Sequence, residues 1–370
     1  MSTSSTGRPL ITANQVTFAR LILLPIGTWL LYRGINGQWA ALFSMTVVGC
    51  TDFVDGMLAR RQGPTVLGGL MDPIADKVFV ALIFLPMIDL KWLPWWMVTI
   101  LFVREFVVTA ARSSYERRDI PLKSSYLAKV KTWFQMCGAG MFFLFRTIQR
   151  PWVMHVVMAA LVVSPFVGGG IYYLLKRKWW RGSVVFFFSF GALGALEWTL
   201  GPWWAGYILG WAIVAITWAS GGVYMFRLGD LRKKQPIDVD DLVRWFGALA
   251  LPVLATMVMA RNVGPSWPIM ATFALEFGVG GLDNLLAHVG ELPRWPGWAA
   301  RVFAQAGFLA AALWLSFHDG SPQLIYWLLM ATFAATLVST AILFWRRRSA
   351  YLSDRVQRNV KTVSVPAPWI

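Results

Sequence analysis

The chain is short of the residues that most enzyme chemistry relies on. Two cysteines and three histidines stand among 370 residues. Cys50 and Cys137 both fall in apolar stretches, which predicts buried fillers and gives no disulfide framework. His155, His288 and His318 are isolated, so packing or interfacial roles fit them better than metal ligation. Charge is scarce too, at 14% of residues, and acid is the scarcer sign, with 18 Asp and Glu against 34 Lys and Arg. Long polar stretches are rare, since 57% of the chain is hydrophobic and mean hydropathy is +0.55.

What is present is apolar length. Runs of about 17 to 25 apolar residues recur along the whole chain, long enough to cross a hydrocarbon core as helices. They fall near 19–33, 38–55, 75–90, 93–111, 132–147, 152–175, 183–200, 203–226, 243–260, 268–287, 300–317 and 323–345. The expected fold is all-α, a polytopic integral membrane protein of about twelve transmembrane helices. No cleavable signal is evident. The net charge of +16 is spread over helix ends, which suits topology and contact with anionic lipid headgroups and argues against nucleic acid. One set of alternate loops is rich in base, including Arg60-Arg61, Arg112 to Lys131, and Arg346 to Arg348. The other set holds only Arg33, Lys91, Arg146, Arg150 and Arg261. The positive-inside rule then predicts both termini in the cytoplasm of a cell whose inner membrane holds the protein. Tryptophans such as Trp92, Trp95, Trp203 and Trp204 sit where interfacial belts are expected.

Against this background one stretch stands out, Thr51–Lys77, with four aspartates. Asp52 and Asp55 are three apart, and Asp72 and Asp76 are four apart, so on helices each pair shares a face. Gly56, Ala59 and Arg60 continue the stripe of Asp52, and Gly68 heads the stripe of Asp72 and Asp76. Two helices joined near Gly63-Pro64 would aim the carboxylates at one point. Four close carboxylates repel unless cations neutralise them. All-oxygen ligands suit Mg²⁺, Mn²⁺ or Ca²⁺, and paired metals on aspartates drive phosphoryl displacement. Small residues on the same face leave room for a ligand. Asp72-Pro73 reads as a helix start, with Asp as N-cap.

The stretch resembles the signature of the CDP-alcohol phosphotransferase family, D-x2-D-G-x2-A-R, eight residues, G-x3-D-x3-D. Asp52, Asp55, Gly56, Ala59, Arg60, Gly68, Asp72 and Asp76 match it, with seven residues in place of eight between Arg60 and Gly68. Asn14 to Arg20, NQVTFAR, resembles the entry to the family's first membrane helix. The resemblance implies a six-helix bundle over residues 1–182, with residues 183–370 as an additional helical membrane region. It implies CDP-diacylglycerol as donor, a small alcohol as acceptor, and a possible homodimer. Two divalent ions, Mg²⁺ or Mn²⁺, would be held by Asp52, Asp55, Asp72 and Asp76. Asp76 would be the general base, and Asp52, Gly56, Ala59, Arg60 and Gly68 would contact the CDP moiety.

Further charges lie in or near the next spans. Arg104, Glu105 and Arg112 fall in FVREFVVTAAR, and Lys129 and Lys131 in KVKTWFQM. Such charges are costly in a bilayer and are paired or functional. Arg112, Lys129 and Lys131 would bind a phosphorylated acceptor, or would merely satisfy topology; Arg104–Glu105 would be an internal ion pair. The RE…R and KVKT-x2-Q patterns resemble the phosphatidylglycerophosphate synthase branch, which implies glycerol 3-phosphate as acceptor, with inositol phosphate as the alternative. Beyond residue 182 the resemblance stops. Gly229–Asp241 reads as a solvated linker. Glu276 and Asp283, seven apart, share a helix face and would be a coupling pair if the chain were a transporter. Gly278, Gly280 and Gly281 would permit close helix packing.

Overall fold

The computed structural model describes residues 11–63, 65–118, 120, 126–226, 238–289, 295–318 and 321–352. Among these, every regular element is a helix. The long ones are α1 (Ala13–Leu31), α2 (Gly34–Gln62), α3 (Val66–Phe84), α4 (Trp95–Glu116), α5 (Tyr126–Thr147) and α6 (Pro151–Lys176). They continue with α7 (Arg181–Phe226), α8 (Val239–Ala260), α9 (Trp267–His288), α10 (Trp295–Phe317) and α11 (Pro322–Arg346). Local sequence sets several of their ends. Thr12 and Gln15 form a capping box at the start of α1. α2 stops at Gly63, whose φ of 90° suits a residue without a side chain. Within α7, Gly201 has φ 82° and Pro202 follows it, so the element is two helical arms meeting at a break.

Among the described residues, seven stretches are long and apolar enough to cross a membrane, and α7 supplies one of them with both its arms. α1, α3, α4 and α5 fall outside that set, and these four carry Arg20, Asp72, Asp76, Lys77, Arg104, Glu105 and Lys131. Large apolar side chains such as Phe43, Leu174, Phe317 and Trp345 face outward, as a lipid solvent demands. The chain is an all-α polytopic membrane protein.

The packing does not pause at residue 182. α1 lies on α2 and α3, and α2 and α3 meet α5. α7 packs on α4, α5 and α6; α8 packs on α4; and α9 packs on both α3 and α4. One main core runs through both halves, beside a small second cluster of Ala111, Tyr115, Ile120 and Tyr224. Phe106 of α4 stacks on Phe277 of α9 at 4.3 Å, and the Thr99 and Thr256 hydroxyls of α4 and α8 meet at 2.5 Å. The glycines of α9 are where they are needed: a Cβ on Gly280 would strike Thr109 at 2.9 Å, and one on Gly281 would strike Ile74 at 2.6 Å.

Three expectations are corrected. α3 begins at Val66, not at Asp72-Pro73, because the Thr65 hydroxyl caps it by accepting the Gly68 N–H at 2.9 Å. Pro73 therefore lies inside the helix. Asp241, read as part of a solvated linker, is 2% exposed and is bound by Ser114 of α4 and by Arg117 and Arg118 just beyond its end. Cys50 is exposed on α2 and not buried as a filler.

Candidate active site

The four aspartates meet around a cation that the chain supplies itself. Arg20 of α1 is 3% exposed. Its Nη1 donates to Asp52 Oδ1 at 2.7 Å and lies 3.6 Å from Asp76 Oδ1, while Nη2 lies 3.4 Å from Asp55 Oδ2. One turn earlier on α1, the Thr17 hydroxyl lies 3.0 Å from Asp55 Oδ2 and 3.2 Å from Asp72 Oδ1. Asn14, a further three residues back, accepts from the Thr65 hydroxyl and fixes α1 against the start of α3. Asn14, Thr17 and Arg20 thus form one face of α1 that holds α2 and α3 together. Thr17 and Arg20 were given no role from sequence; the signal that could have found them is their spacing of three within the NQVTFAR stretch.

The donor set fits hard divalent ions. Asp55 is buried, but the side chains of Asp52 and Asp76 are 47% and 54% exposed. Asp52 Oδ2, Asp72 Oδ2 and both oxygens of Asp76 accept no hydrogen bond among the described residues. Oxygen-only ligands of this kind suit Mg²⁺ or Mn²⁺. In the arrangement shown, no three acidic, histidine or cysteine side chains among the described residues gather closely enough to hold an ion. The carboxylates are instead drawn toward the Arg20 guanidinium, which neutralises part of their mutual repulsion. Arg20→Gln is accordingly expected to lower stability by about 3 kcal/mol in chelator. A thermal melt with EDTA, repeated with excess Mg²⁺, reads both the loss and its partial recovery.

The small residues divide into two groups. A Cβ on Gly56 would meet no atom within 4 Å, so the backbone there borders open space beside Asp52 and Asp55. Gly68 differs: its Cβ would come 2.9 Å from Asn14 Oδ1 and 3.0 Å from Thr65 Oγ1, so its size serves the contact of α1 with α3. Ala59 lies half-buried and Arg60 exposed at the end of α2.

On the other side of α3 lies a cationic cluster. Lys77, next to Asp76, donates to the Thr109 hydroxyl at 2.6 Å and interacts electrostatically with Glu105, Arg112, Lys131 and Arg104. Glu105 is the common anion. It takes Lys131 Nζ at 2.7 Å, Arg104 Nη1 at 3.3 Å and Gln135 Nε2 at 3.4 Å. The Arg104–Glu105 ion pair expected from sequence is present, and Lys131 joins it. Arg112 is exposed and donates to the Tyr224 hydroxyl at 3.0 Å. Lys129 belongs to α5, but its side chain lies outside the described residues.

Glu276 and Asp283 do share a face of α9, and cations meet them. Arg301 of α10 lies 3.8 Å from Glu276 and pairs with Asp283, which also has Arg244 of α8 at 3.4 Å. Two acids and two bases close on one another between helices, and Glu276, Arg244 and Arg301 border a cavity of about 20 Å³. That volume admits about one water. These ion pairs tie α8, α9 and α10 to one another.

Comparison with known proteins agrees with the geometry. The family model for CDP-alcohol phosphatidyltransferases matches residues 10–166. A probable phosphatidylglycerophosphate synthase of Mycobacterium tuberculosis is 33% identical over 162 residues, 42% of this chain and 77% of the relative. A CDP-diacylglycerol–glycerol-3-phosphate 3-phosphatidyltransferase of Bacillus subtilis is 28% identical over 34% of this chain and 73% of its own length. A CMP-forming cardiolipin synthase of Streptomyces coelicolor is 29% identical over 48% of this chain and 81% of its own. No solved structure gives a significant match.

Proposed function

Because this chain belongs to the CDP-alcohol phosphatidyltransferase family, we propose that it transfers the phosphatidyl group of CDP-diacylglycerol to glycerol 3-phosphate, releasing CMP. The observation that carries this reading is the pairing of two opposite charge clusters across α3. Asp72 and Asp76 look toward α1 and α2; Lys77, the next residue, looks toward Arg112 and Lys131. A diphosphate with its counter-ions belongs at the acidic cluster. A phosphorylated alcohol belongs beside the basic one.

Asp52, Asp55, Asp72 and Asp76 would hold two divalent ions, which polarise the phosphoryl oxygens and offset the charge of the CMP leaving group. Gly56, with no side chain, lets the nucleotide approach the backbone of α2, and Arg60 at the helix end meets its phosphate. Arg112 and Lys131 orient the acceptor through its phosphate; a guanidinium does this with two parallel hydrogen bonds. Asp76, the aspartate least engaged by the protein, takes the proton of the acceptor hydroxyl. That oxygen forms a bond to the β-phosphorus of the donor, and the bond from that phosphorus to the CMP oxygen breaks. Holding both reactants between packed helices, α2 and α3 on one side and α4 and α5 on the other, contributes orientation that a free encounter lacks. Arg60 and Arg61 at the end of α2 support a site at the cytoplasmic face of the inner membrane.

The test is CMP release by the purified full-length protein with CDP-diacylglycerol, Mg²⁺ or Mn²⁺, and a panel of alcohols. Glycerol 3-phosphate is expected to give the fastest release, EDTA to abolish it, and added Mg²⁺ or Mn²⁺ to restore it. Preference for inositol phosphate would replace the acceptor. Full activity in EDTA would remove the ions from the scheme.

A further inference from the structure

The cations of the first six helices are not held by those helices alone. The second arm of α7, beyond the Gly201 break, carries Thr217, Ser220 and Tyr224 at offsets of zero, three and seven, which is one helix face. Each binds a polar side chain of α4 or α5. Thr217 Oγ1 accepts from Gln135 Nε2 at 3.2 Å, Ser220 Oγ accepts from Arg104 Nη2 at 2.7 Å, and Tyr224 Oη accepts from Arg112 Nη2 at 3.0 Å. All three are buried. A buried polar stripe on an otherwise apolar membrane helix is costly unless it is matched, and this one is matched to the cationic cluster.

The contact with Arg112 differs from the other two. Arg104 and Lys131 already share Glu105. Arg112 has no carboxylate partner among the described residues, and it is exposed. A long side chain in that situation samples many rotamers. Tyr224 limits them twice, by its hydroxyl and by its ring, whose centroid lies 5.9 Å from the guanidinium carbon. Tyr224 is itself anchored, since its carbonyl accepts the Tyr115 hydroxyl at 2.6 Å. That anchor uses backbone, so the Tyr224 hydroxyl can be removed without undoing it.

We propose that Tyr224, from the half of the chain that lies outside the family match, is a positioning residue for the acceptor: it holds the Arg112 guanidinium in one orientation beside Lys77 and Lys131, so that the phosphate of the incoming alcohol finds it already aimed. The inference rests on the reading of Arg112 as an acceptor ligand. It gives the second half of the chain a part in acceptor recognition.

Steady-state CMP release separates this from a merely structural role. In Tyr224→Phe, KM for glycerol 3-phosphate should rise about tenfold, the scale of one hydrogen bond to a charged group. KM for CDP-diacylglycerol and kcat at saturating acceptor should stay at the parent values. Tyr224→Leu, which also removes the ring face, should raise the acceptor KM further. In an Arg112→Gln background, Tyr224→Phe should add nothing, because its effect runs through the guanidinium. An unchanged acceptor KM, an equal rise in both KM values, or additivity with Arg112→Gln overturns the inference; so does a variant that melts early yet keeps the parent acceptor KM. A parent protein that releases no CMP with any phosphorylated alcohol overturns the proposed function and this inference with it. An active parent alongside an indifferent Tyr224→Phe overturns the inference alone.

Discussion

An Asp76→Asn variant is expected to lose CMP release by about 10²- to 10⁴-fold, the range a positioned general base contributes. The substitution keeps the size of the side chain and removes its charge and its capacity to take a proton. Among the four aspartates it is the most telling position. Asp52 is tied to Arg20 at 2.7 Å, while Asp55 and Asp72 flank the Thr17 hydroxyl. Among the described residues Asp76 has only the Arg20 guanidinium, at 3.6 Å, as an ion-pair partner, and its side chain is 54% exposed. Little in the folded protein depends on it, so the melting temperature should stay within a few degrees of the parent while turnover collapses. If Asp76→Asn keeps more than about a tenth of parental turnover, proton transfer at this carboxylate is not a major contribution. An Asp55→Asn variant provides the contrast. Asp55 is 5% exposed and engaged by two groups of α1, so its loss should lower stability as well as rate.

How much of this was legible in the sequence depends on how far apart the partners are. The aspartate stripes were readable because helix periodicity alone brings Asp52 to Asp55 and Asp72 to Asp76, and their scarcity elsewhere made them visible. Arg20 was not readable as their counter-ion. A single arginine at the start of an apolar run looks like a topology signal, and only the packing of α1 across α2 and α3 turns it inward. The start of α3 was misplaced for a local reason. Asp72-Pro73 imitates a helix start, but Thr65 offers a competing cap whose hydroxyl accepts the Gly68 N–H, and the helix takes the earlier one. Asp241 reads as solvated in the sequence because its neighbours are polar. Its partners, Arg117 and Arg118, lie more than a hundred residues away, beyond any pattern a sequence displays. The same holds for Glu276 and Asp283, whose shared face was seen but whose arginines, on α8 and α10, were not.

Those long-range partners decide what happens when the chain is cut. A chain ending at residue 182 retains every residue of the family match, and by sequence similarity alone it should be a complete six-helix enzyme. The structure predicts the reverse. Removing α7 to α11 strips the outer faces of α3 and α4, which α9 covers through the Phe106–Phe277 stack and the close approaches at Gly280 and Gly281. Lost apolar contact is partly replaced by lipid tails, so that term is modest within a bilayer. The polar term is not. Arg117 and Arg118 lose Asp241, Arg104 loses Ser220, Gln135 loses Thr217 and Arg112 loses Tyr224. Breaking one buried ion pair by deleting a partner costs roughly 3–5 kcal/mol, comparable to a large part of a domain's net stability. The truncated chain is therefore expected to show no CMP release and no cooperative melt in detergent, and expression of residues 183–370 from a second reading frame should restore some of both. A truncated chain that folds and keeps parental turnover would show that the second half is dispensable. Even then its acceptor KM should exceed the parent's, because nothing of Tyr224 remains to aim Arg112; a parental acceptor KM would remove that role too.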